Sequence, residues 1–142
     1  MLVKNIMTKR IVTVELDDTL KVVKNIFEQA AFHHLLVVEN GKLYGVLSDR
    51  DLFKAVSPRI GLPGETPQDI ATLHKKVHQI MSRKPVCLSP DADVYQAISI
   101  FNQHKISCIP IVDERVHPIG ILSWRDILRV IEVNHNKKKN VS

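Results

Sequence analysis

Two stretches of seven residues hold the side chains of this sequence that are best suited to chemistry. They read Gly-Val-Leu-Ser-Asp-Arg-Asp at residues 45–51 and Gly-Ile-Leu-Ser-Trp-Arg-Asp at residues 120–126. In each, an apolar run typical of a strand ends at the serine, and a helix is predicted to begin there. Ser-x-x-Asp is close to a capping box, in which serine and acid each accept a hydrogen bond from a backbone N–H. Helix capping alone would therefore explain either stretch.

The same residue types also suit a nucleotide. A helix N-terminus offers unpaired N–H groups and the positive end of the helix dipole, both of which favour a phosphate. Serine can donate to an anion, arginine can pair with a phosphate, and an aspartate can accept both hydrogens of a ribose diol. The set occurs twice, as Ser48, Arg50 and Asp51 and again as Ser123, Arg125 and Asp126. We interpret this recurrence as evidence for binding as well as capping.

An internal repeat explains why the motif recurs. Residues 3–56 align with residues 77–131, and Ile-Met, Ile-Phe-x-Gln and Gly-x-Leu-Ser-x-Arg-Asp follow in the same order in both. Each copy shows a short β-rich run, an amphipathic helical pattern, two apolar runs joined by a tight turn, and a second helical pattern. The sequence therefore predicts the order β-α-β-β-α, twice, in a mixed α/β (α+β) fold.

The boundaries of the elements follow from the same patterns. The expected strands lie at 11–14, 34–39, 44–47, 86–88, 108–113 and 119–122, and the second helices lie at 52–56 and 127–133. One copy buries too little apolar surface to be stable alone, so we expect the two to pack as a pseudo-twofold pair. The expected domains are 1–57, the first repeat; 58–76, a linker; 77–133, the second repeat; and 134–142, a basic tail that frays.

The linker is expected to contain a helix. Thr66 is the predicted N-cap and Pro67 the first helical residue. Apolar residues then continue at helical spacing, at Ile70, Leu73, Val77 and Ile80. We therefore expect one helix that runs from the linker into the second copy.

The β-α-β-β-α repeat with Ser-x-x-Asp at its end resembles the cystathionine-β-synthase (CBS) domain, and the tandem pair resembles a Bateman module. The resemblance covers nearly the whole chain apart from the linker and the tail, and it extends loosely to acetoin-utilisation proteins. It implies a non-catalytic regulatory module that senses energy state or a metabolite by binding an adenine nucleotide in a cleft between the copies. AMP, ADP or ATP is the expected ligand, while S-adenosylmethionine, NADH and a cyclic dinucleotide stay open.

The resemblance also implies which residues bind, because similar modules build each site from both copies. Carried over to this sequence, the first site comprises Thr8, Thr13, Phe32, His33 and His34 with Ser123, Arg125 and Asp126. The second site comprises Ser82, Cys87, Ile106, Ser107 and Cys108 with Ser48, Arg50 and Asp51. Adenine would lie near residues 32–34 or 106–108, and the aspartate would hold the ribose.

Two departures from the family pattern distinguish the sites. Leu36 stands where the family often has the proline that the second copy keeps as Pro110. Asp49 places a negative charge beside Ser48, where it should disfavour a phosphate. The first site instead gathers His33, His34 and Arg125. We therefore expect the Asp126 site to be the better phosphate binder.

Other functions have weaker support in the sequence. His74 and His78 are spaced i,i+4 but have too few companions for a metal site. Cys108 has no base placed to activate it, so we expect no enzyme activity. Lys137, Lys138 and Lys139 with a pI near 9.3 do not by themselves make a nucleic-acid interface. The alternative that stays open is a ligand-free dimerisation or protein-interaction scaffold.

Composition restricts the cellular location and the class of protein. The chain has 142 residues and a net charge of +5, and no apolar run approaches the roughly 18 residues needed to span a membrane. The N-terminus lacks the features of a secretion signal, and two cysteines are too few for a disulfide scaffold. We expect free thiols, a cytoplasmic location, a homodimer formed through exposed helix faces, and a regulated protein that the sequence does not identify.

Overall fold

The computed structural model describes residues 1–141, and their fold is mixed α+β. The chain divides into two compact units. One, which we call the first-repeat unit, is Val12–Pro85. The other, the second-repeat unit, joins Met1–Ile11 to Val86–Ser142.

The first-repeat unit is built on a four-stranded sheet. Its elements are β1 (Thr13–Glu15), α1 (Leu20–Gln29), β2 (His34–Glu39), β3 (Lys42–Ser48), α2 (Asp49–Ala55), α3 (Pro67–Ala71), α4 (Val77–Ile80) and β4 (Ser82–Arg83). The strands lie in the order β1-β2-β3-β4; β1 runs parallel to β2, and the other neighbours are antiparallel. The hairpin of β2 and β3 turns through Asn40 and Gly41, both with positive φ, as the Asn-Gly pair predicts.

The second-repeat unit repeats this plan around one hairpin. Its elements are α5 (Val94–Gln103), β5 (Cys108–Val112), β6 (Pro118–Ser123) and α6 (Trp124–Val141). Single bridges flank the hairpin: Leu88 pairs in parallel with Ile111, and Thr8 pairs antiparallel with Ile121. The expected strand at 86–88 is thus reduced to the Leu88 bridge.

The leading segment of each copy, residues 3–8 or 77–82, packs on the hairpin of the other copy. Thr8 bonds to Ile121 through backbone N–H and C=O in both directions at 2.9 Å. In the first-repeat unit, Ser82 pairs with Val46 on β3. This exchange explains why the first eleven residues belong with the second repeat rather than the first.

Methionine and glycine fit together at both exchanged contacts. A Cβ built on Gly120 would lie 2.5 Å from Met7 Sδ, and one built on Gly45 would lie 2.6 Å from Met81 Sδ. Real Cβ atoms do not approach so closely, so the glycine in each seven-residue stretch makes room for the methionine of the other copy's leading segment. The recurring Ile-Met and Gly-x-Leu-Ser motifs are therefore parts of one packing arrangement.

Each unit has an apolar core of its own, formed by the inward face of its sheet and the helices against it. The buried core of the first-repeat unit consists of Val14, Leu20, Val23, Leu35, Val37, Leu47, Leu52, Val77 and Met81. That of the second-repeat unit consists of Val3, Val94, Ala97, Ile109, Ile111, Leu122 and Ile127. Leu47 and Leu122 anchor the strands that lead into the two Ser-x-x-Asp turns, so core packing fixes where those turns lie.

The prediction of one continuous helix through the linker is wrong. Thr66 does cap α3, accepting a bond of 3.2 Å from the Asp69 N–H. The helical path then stops, because Lys75 and Lys76 are extended, with ψ of 149° at each. Backbone hydrogen bonds keep this segment extended. Leu20 N–H donates to Lys75 C=O at 2.9 Å, and Val77 N–H donates to Asp18 C=O at 2.8 Å.

Residues 134–141, which the sequence predicts to be part of a frayed tail, belong to a helix in the structure, and fraying of that helix stays a prediction. Helix α6 continues through residue 141 without a break, and Ser142 lies outside the described residues. Residues 134–140 are exposed, and Lys138 and Lys139 lie in the last turn of the helix. Positive charge at that end complements the helix dipole, which is a physical reason for the helix to continue.

Candidate functional site

The turn between β6 and α6 forms a complete capping box. Ser123 N–H donates to Asp126 Oδ2 at 2.9 Å, and Asp126 N–H donates to Ser123 Oγ at 3.2 Å. These bonds fix the carboxylate and the hydroxyl side by side at the start of the helix. Because Ser123 Oγ accepts that bond, its own proton can point towards another group.

Asp126 is more deeply buried than capping requires. It is 5% exposed, and it is the only charged residue that is buried among residues 1–140. Its Oδ1 accepts bonds from Thr8 Oγ1 at 3.3 Å and from Arg129 Nη1 at 3.4 Å. Both bonds are long for an ionised acceptor, and a carboxylate oxygen has two lone pairs. Oδ1 is therefore suited to accept shorter bonds from the hydroxyls of a ligand.

The hairpin brings the start of β5 to the same place. Cys108 lies opposite Ser123 in the register, and Ile106 and Ser107 immediately precede it with exposed side chains. Burial raises the pKa of the Cys108 thiol to about 12, and burial also raises the pKa of Cys87. Neither thiol is part of a disulfide. At neutral pH they stay protonated, which makes them poor nucleophiles.

The matching turn in the first-repeat unit is a second capping box. Ser48 N–H donates to Asp51 Oδ2 at 2.9 Å, and Asp51 N–H donates to Ser48 Oγ at 3.1 Å. Asp51 is half-buried rather than buried. Helix α2, which begins here, spans seven residues against the eighteen of α6. Of the two turns, the one at Asp126 therefore has both the more buried carboxylate and the longer helix.

Two histidines lie beside this second turn. His34 lies opposite Ser48 in the hairpin, and His33 Nδ1 is 3.0 Å from Asp49 Oδ2. Asp49, whose negative charge is expected to disfavour a phosphate beside Ser48, therefore has His33 as a hydrogen-bond partner, and the two form an ion pair when His33 is protonated. Burial lowers the pKa of His34, and the nearby Asp49 only partly offsets this effect. His34 is consequently mostly neutral at pH 7.

The remaining predicted residues surround these turns. Thr13 is exposed on β1, level with Leu36. Ser82 is exposed on β4, Phe32 is half-buried just before β2, and Cys87 precedes the Leu88 bridge. Arg50 and Arg125 are exposed in the first turns of their helices.

The structure therefore groups the predicted residues by unit. Thr8, Cys87, residues 106–108 and the Ser123 turn belong to the second-repeat unit. Thr13, residues 32–34, Ser82 and the Ser48 turn belong to the first-repeat unit. An antiparallel hairpin sets the first residue of one strand beside the last residue of the next, which explains this grouping. The sharing of one ligand between residues 32–34 and Asp126, or between 106–108 and Asp51, stays a prediction.

Arg129 is the residue at this site that sequence reasoning missed. It follows Asp126 by three positions on a helix, a spacing at which side chains touch. That spacing was a readable signal, although the motif itself ends at Asp126.

Other kinds of site are not evident in the described part of the chain. No group of three or more His, Cys, Asp or Glu side chains there could hold a metal ion. No helix within the same residues is both long and apolar enough to cross a bilayer.

Three comparisons with known proteins all find similarity to CBS domains. The sequence profile of the CBS domain matches residues 3–58 and 77–133. A CBS domain-containing protein of Dictyostelium discoideum is 33% identical over 132 residues, which are 92% of this chain and 90% of that protein. The solved CBS domain pair of protein MJ0100, in complex with 5′-methylthioadenosine and S-adenosyl-L-methionine, has a TM-score of 0.77. It is 25% identical, over 94% of this chain and 98% of that one.

A membrane channel contains a similar pair. The cytosolic domain of the Mg²⁺ channel MgtE, solved in complex with ATP, has a TM-score of 0.71 and 27% identity. The match covers 88% of this chain and 46% of that one. The similarity therefore concerns a module that also occurs inside a longer chain.

Proposed function

This chain belongs to the CBS domain family, and on that premise we propose that it is a regulatory module that binds an adenine nucleotide without converting it. The observation that carries the proposal is the buried Asp126 carboxylate, held by the Ser123 capping box and touched by Thr8. A buried charge is costly unless it has partners, and its long bonds on Oδ1 leave acceptor capacity there.

The ribose has the clearest partner. The Asp126 carboxylate would accept hydrogen bonds from the ribose hydroxyls, which replace the long Arg129 contact on Oδ1 while the Thr8 bond keeps the carboxylate oriented. Such bonds to a charged acceptor contribute about 1.5–3 kcal/mol each. The capping box supports this role because it fixes the carboxylate before the ligand arrives, so little ordering is needed on binding.

The phosphate would bind near the first turn of α6. This helix spans 18 residues, and the positive end of its dipole lies at Trp124. The exposed Arg125 lies in that turn and can form two parallel hydrogen bonds to a phosphate. The first turn of α2 instead contains both Asp49 and Asp51. This difference in charge favours the Asp126 site for a phosphorylated ligand.

The relatives support the ligand class. The MJ0100 domain pair binds 5′-methylthioadenosine and S-adenosylmethionine, and the MgtE domain binds ATP. These ligands share adenosine and differ at the 5′ position. An adenosine-containing ligand is therefore proposed for this chain. AMP, ADP and ATP come before S-adenosylmethionine, which has no phosphate for Arg125, and NADH, which carries a diphosphate, stays open.

Regulation without turnover suits the chemistry of the site. Burial keeps the Cys108 thiol protonated, and the Asp126 carboxylate is held in place by its bond from the Ser123 N–H. Cysteines outside any disulfide also suit a reducing compartment such as the cytoplasm, where the regulated protein would be found.

A thermal-shift screen tests the proposal directly. AMP, ADP, ATP, S-adenosylmethionine, NADH and adenosine are added separately, and GTP serves as the control. A ligand at about one hundred times its Kd should stabilise the fold by about 2.7 kcal/mol. Calorimetry and chromatography of the recovered ligand should then give stoichiometric binding of an unchanged compound. Equal shifts with GTP, or sustained hydrolysis that copurifies with the chain, would contradict the proposal.

A dimerisation scaffold is the second candidate, and one surface favours it. Trp124, Leu128 and Ile131 are 49%, 53% and 57% exposed on α6, at a spacing that places them on one helix face. We propose that this face mediates a homodimer. Light scattering should give twice the chain mass, and Leu128→Glu with Ile131→Glu should give the single mass. A dimer that binds no adenosine compound would leave the scaffold as the function.

A further inference from the structure

Arg129 is a charged neighbour of Asp126 that lies outside the seven-residue motif. Helical side chains lean towards the N-terminus, so its guanidinium is carried back to the first turn of α6. Nη1 lies 3.4 Å from Asp126 Oδ1. The Arg129 side chain is 68% exposed, whereas that of Asp126 is 6% exposed. The carboxylate is thus fixed, while the guanidinium can move in solvent.

This ion pair is easily broken. Charge-assisted N–H···O bonds are normally about 2.7–2.9 Å long, and this one is clearly longer. Water screens a pair whose cation is mostly exposed, and holding the long side chain in one place costs entropy. Ribose hydroxyls that bind Oδ1 would therefore displace Arg129 at little cost.

We infer that Arg129 is a specificity-determining residue that selects ligands with a 5′-phosphate, an inference that rests on the proposed binding of a nucleotide at Asp126. Without ligand, Arg129 pairs with Asp126. When the ribose takes Oδ1, the guanidinium turns to the phosphate on the same ribose and binds it through two parallel N–H donors. The gain is specific to phosphorylated ligands, since adenosine displaces the arginine without offering it a new partner.

Lys54 provides a matched control. It follows Asp51 on α2 by the same three positions, and it is exposed. Lysine is a compact point charge without the planar fork of arginine. Removing Lys54 lowers the net charge as much as removing Arg129 does, but leaves the Asp126 site intact.

Calorimetry with AMP and adenosine tests the inference. All variants contain Asp51→Ala, so that the Asp126 site alone reports, and each is checked by its melting temperature. Arg129→Gln should weaken AMP binding by about tenfold or more and change adenosine binding by less than about twofold. Arg129→Lys should recover part of the AMP affinity. Lys54→Gln should change neither.

Two results would overturn the inference. An equal loss for AMP and adenosine would make Arg129 a mere counter-ion of Asp126, and unchanged affinity for both would leave it without a role. In either case the proposed function stands if the parent protein binds both compounds and Asp126→Ala weakens both. If the parent protein binds neither compound, the proposed function fails, and this inference fails with it.

Discussion

Thr8 and Asp126 lie 118 positions apart in the sequence, yet Thr8 Oγ1 donates to Asp126 Oδ1 at 3.3 Å. The contact exists because the leading segment of the first repeat forms a bridge to β6 of the second repeat. It links two recurring motifs of the sequence at a single carboxylate oxygen, because Thr8 directly follows the first Ile-Met motif and Asp126 ends the second Ser-x-x-Asp turn.

This contact predicts a role for the Thr8 hydroxyl. Thr8→Val keeps the shape but removes the donor, so the carboxylate loses one of the bonds that orient it. Affinity for adenosine, measured by calorimetry, should fall by a few-fold, because a bond as long as 3.3 Å contributes no more than a typical hydrogen bond, about 0.5–1.5 kcal/mol. Thr8→Ser, which retains the hydroxyl, should bind like the parent chain. Undiminished binding by Thr8→Val would exclude Thr8 from the site.

The two methionine–glycine contacts predict unequal effects of the same substitution. A Cβ on Gly45 would lie 2.8 Å from the backbone oxygen of Ser82, whereas its counterpart on Gly120 would meet only the flexible side chain of Met7 at first. Gly45→Ala should therefore destabilise by about 1–3 kcal/mol through overpacking. Gly120→Ala should cost less, since Met7 can shift and alanine suits a strand better by about 0.5–1 kcal/mol.

Urea denaturation of the two variants measures this difference. Met7→Ala combined with Gly120→Ala serves as the control, because the smaller side chain removes the clash. Equal losses of stability at Gly45 and Gly120 would contradict the account.

Acid should weaken the first-repeat unit through His34. Burial lowers the folded-state pKa of His34 below the usual 6.5, so protonation favours the unfolded chain. The associated stability is fully present above about pH 6.5 and is lost as the pH falls through the folded-state pKa. The melting temperature should therefore decline below pH 6.5, and His34→Gln should reduce that decline. His33→Gln, at an exposed position, is the comparison; an equal effect there would shift the cause away from burial.

The thiols should react at different rates. Burial raises the pKa of Cys108 to about 12, whereas Cys87 is only half-buried. With a thiol reagent at pH 7.5, Cys87 should therefore react first, and Cys108 should react only after denaturant is added. Cys87→Ser isolates Cys108. Rapid labelling of Cys108 in the folded chain would restore a reactive-thiol function.

Local features of this chain were readable from the sequence, and non-local ones were not. The capping boxes at Ser48, Ser123 and Thr66 follow from residues three apart, and the hairpin turn follows from Asn-Gly. The break at Lys75 depends on backbone bonds to Asp18 and Leu20, which helical spacing cannot reveal. A propensity pattern reports what a segment would form alone, and here the sheet edge determined the outcome.

For the same reason, only part of the candidate site could be predicted from the sequence. The acid and the serine were identified because they sit in one turn. The contact of Thr8 with that turn came from the family resemblance, since it depends on the exchange of leading segments. The position of His34 opposite Ser48 could not be predicted, because the two-residue turn alone would set His33 there. A bulge between Val37 and Val38 shifts the register by one residue. Arg129 was overlooked because the motif ended before it.

Asp51 allows a comparison of the two turns. It is half-buried, and Asp49 lies in the same helical turn. Asp51→Ala should weaken AMP binding less than Asp126→Ala does, by calorimetry on the two single variants. A larger loss from Asp51→Ala would move the principal phosphate site to the first-repeat unit.

The most direct measurement is a paired one on Asp126→Ala, combining AMP affinity by calorimetry with stability by urea denaturation. Loss of a charge-assisted bond to the ribose should weaken AMP binding by roughly 10- to 100-fold. Loss of an acid from the first turn of α6 should cost about 0.3–1 kcal/mol through the dipole and a further 0.5–2 kcal/mol if the cap is lost. Weak binding by a folded variant is the predicted result. AMP affinity that is unchanged while stability falls would reduce Ser123 and Asp126 to a helix cap and contradict the account.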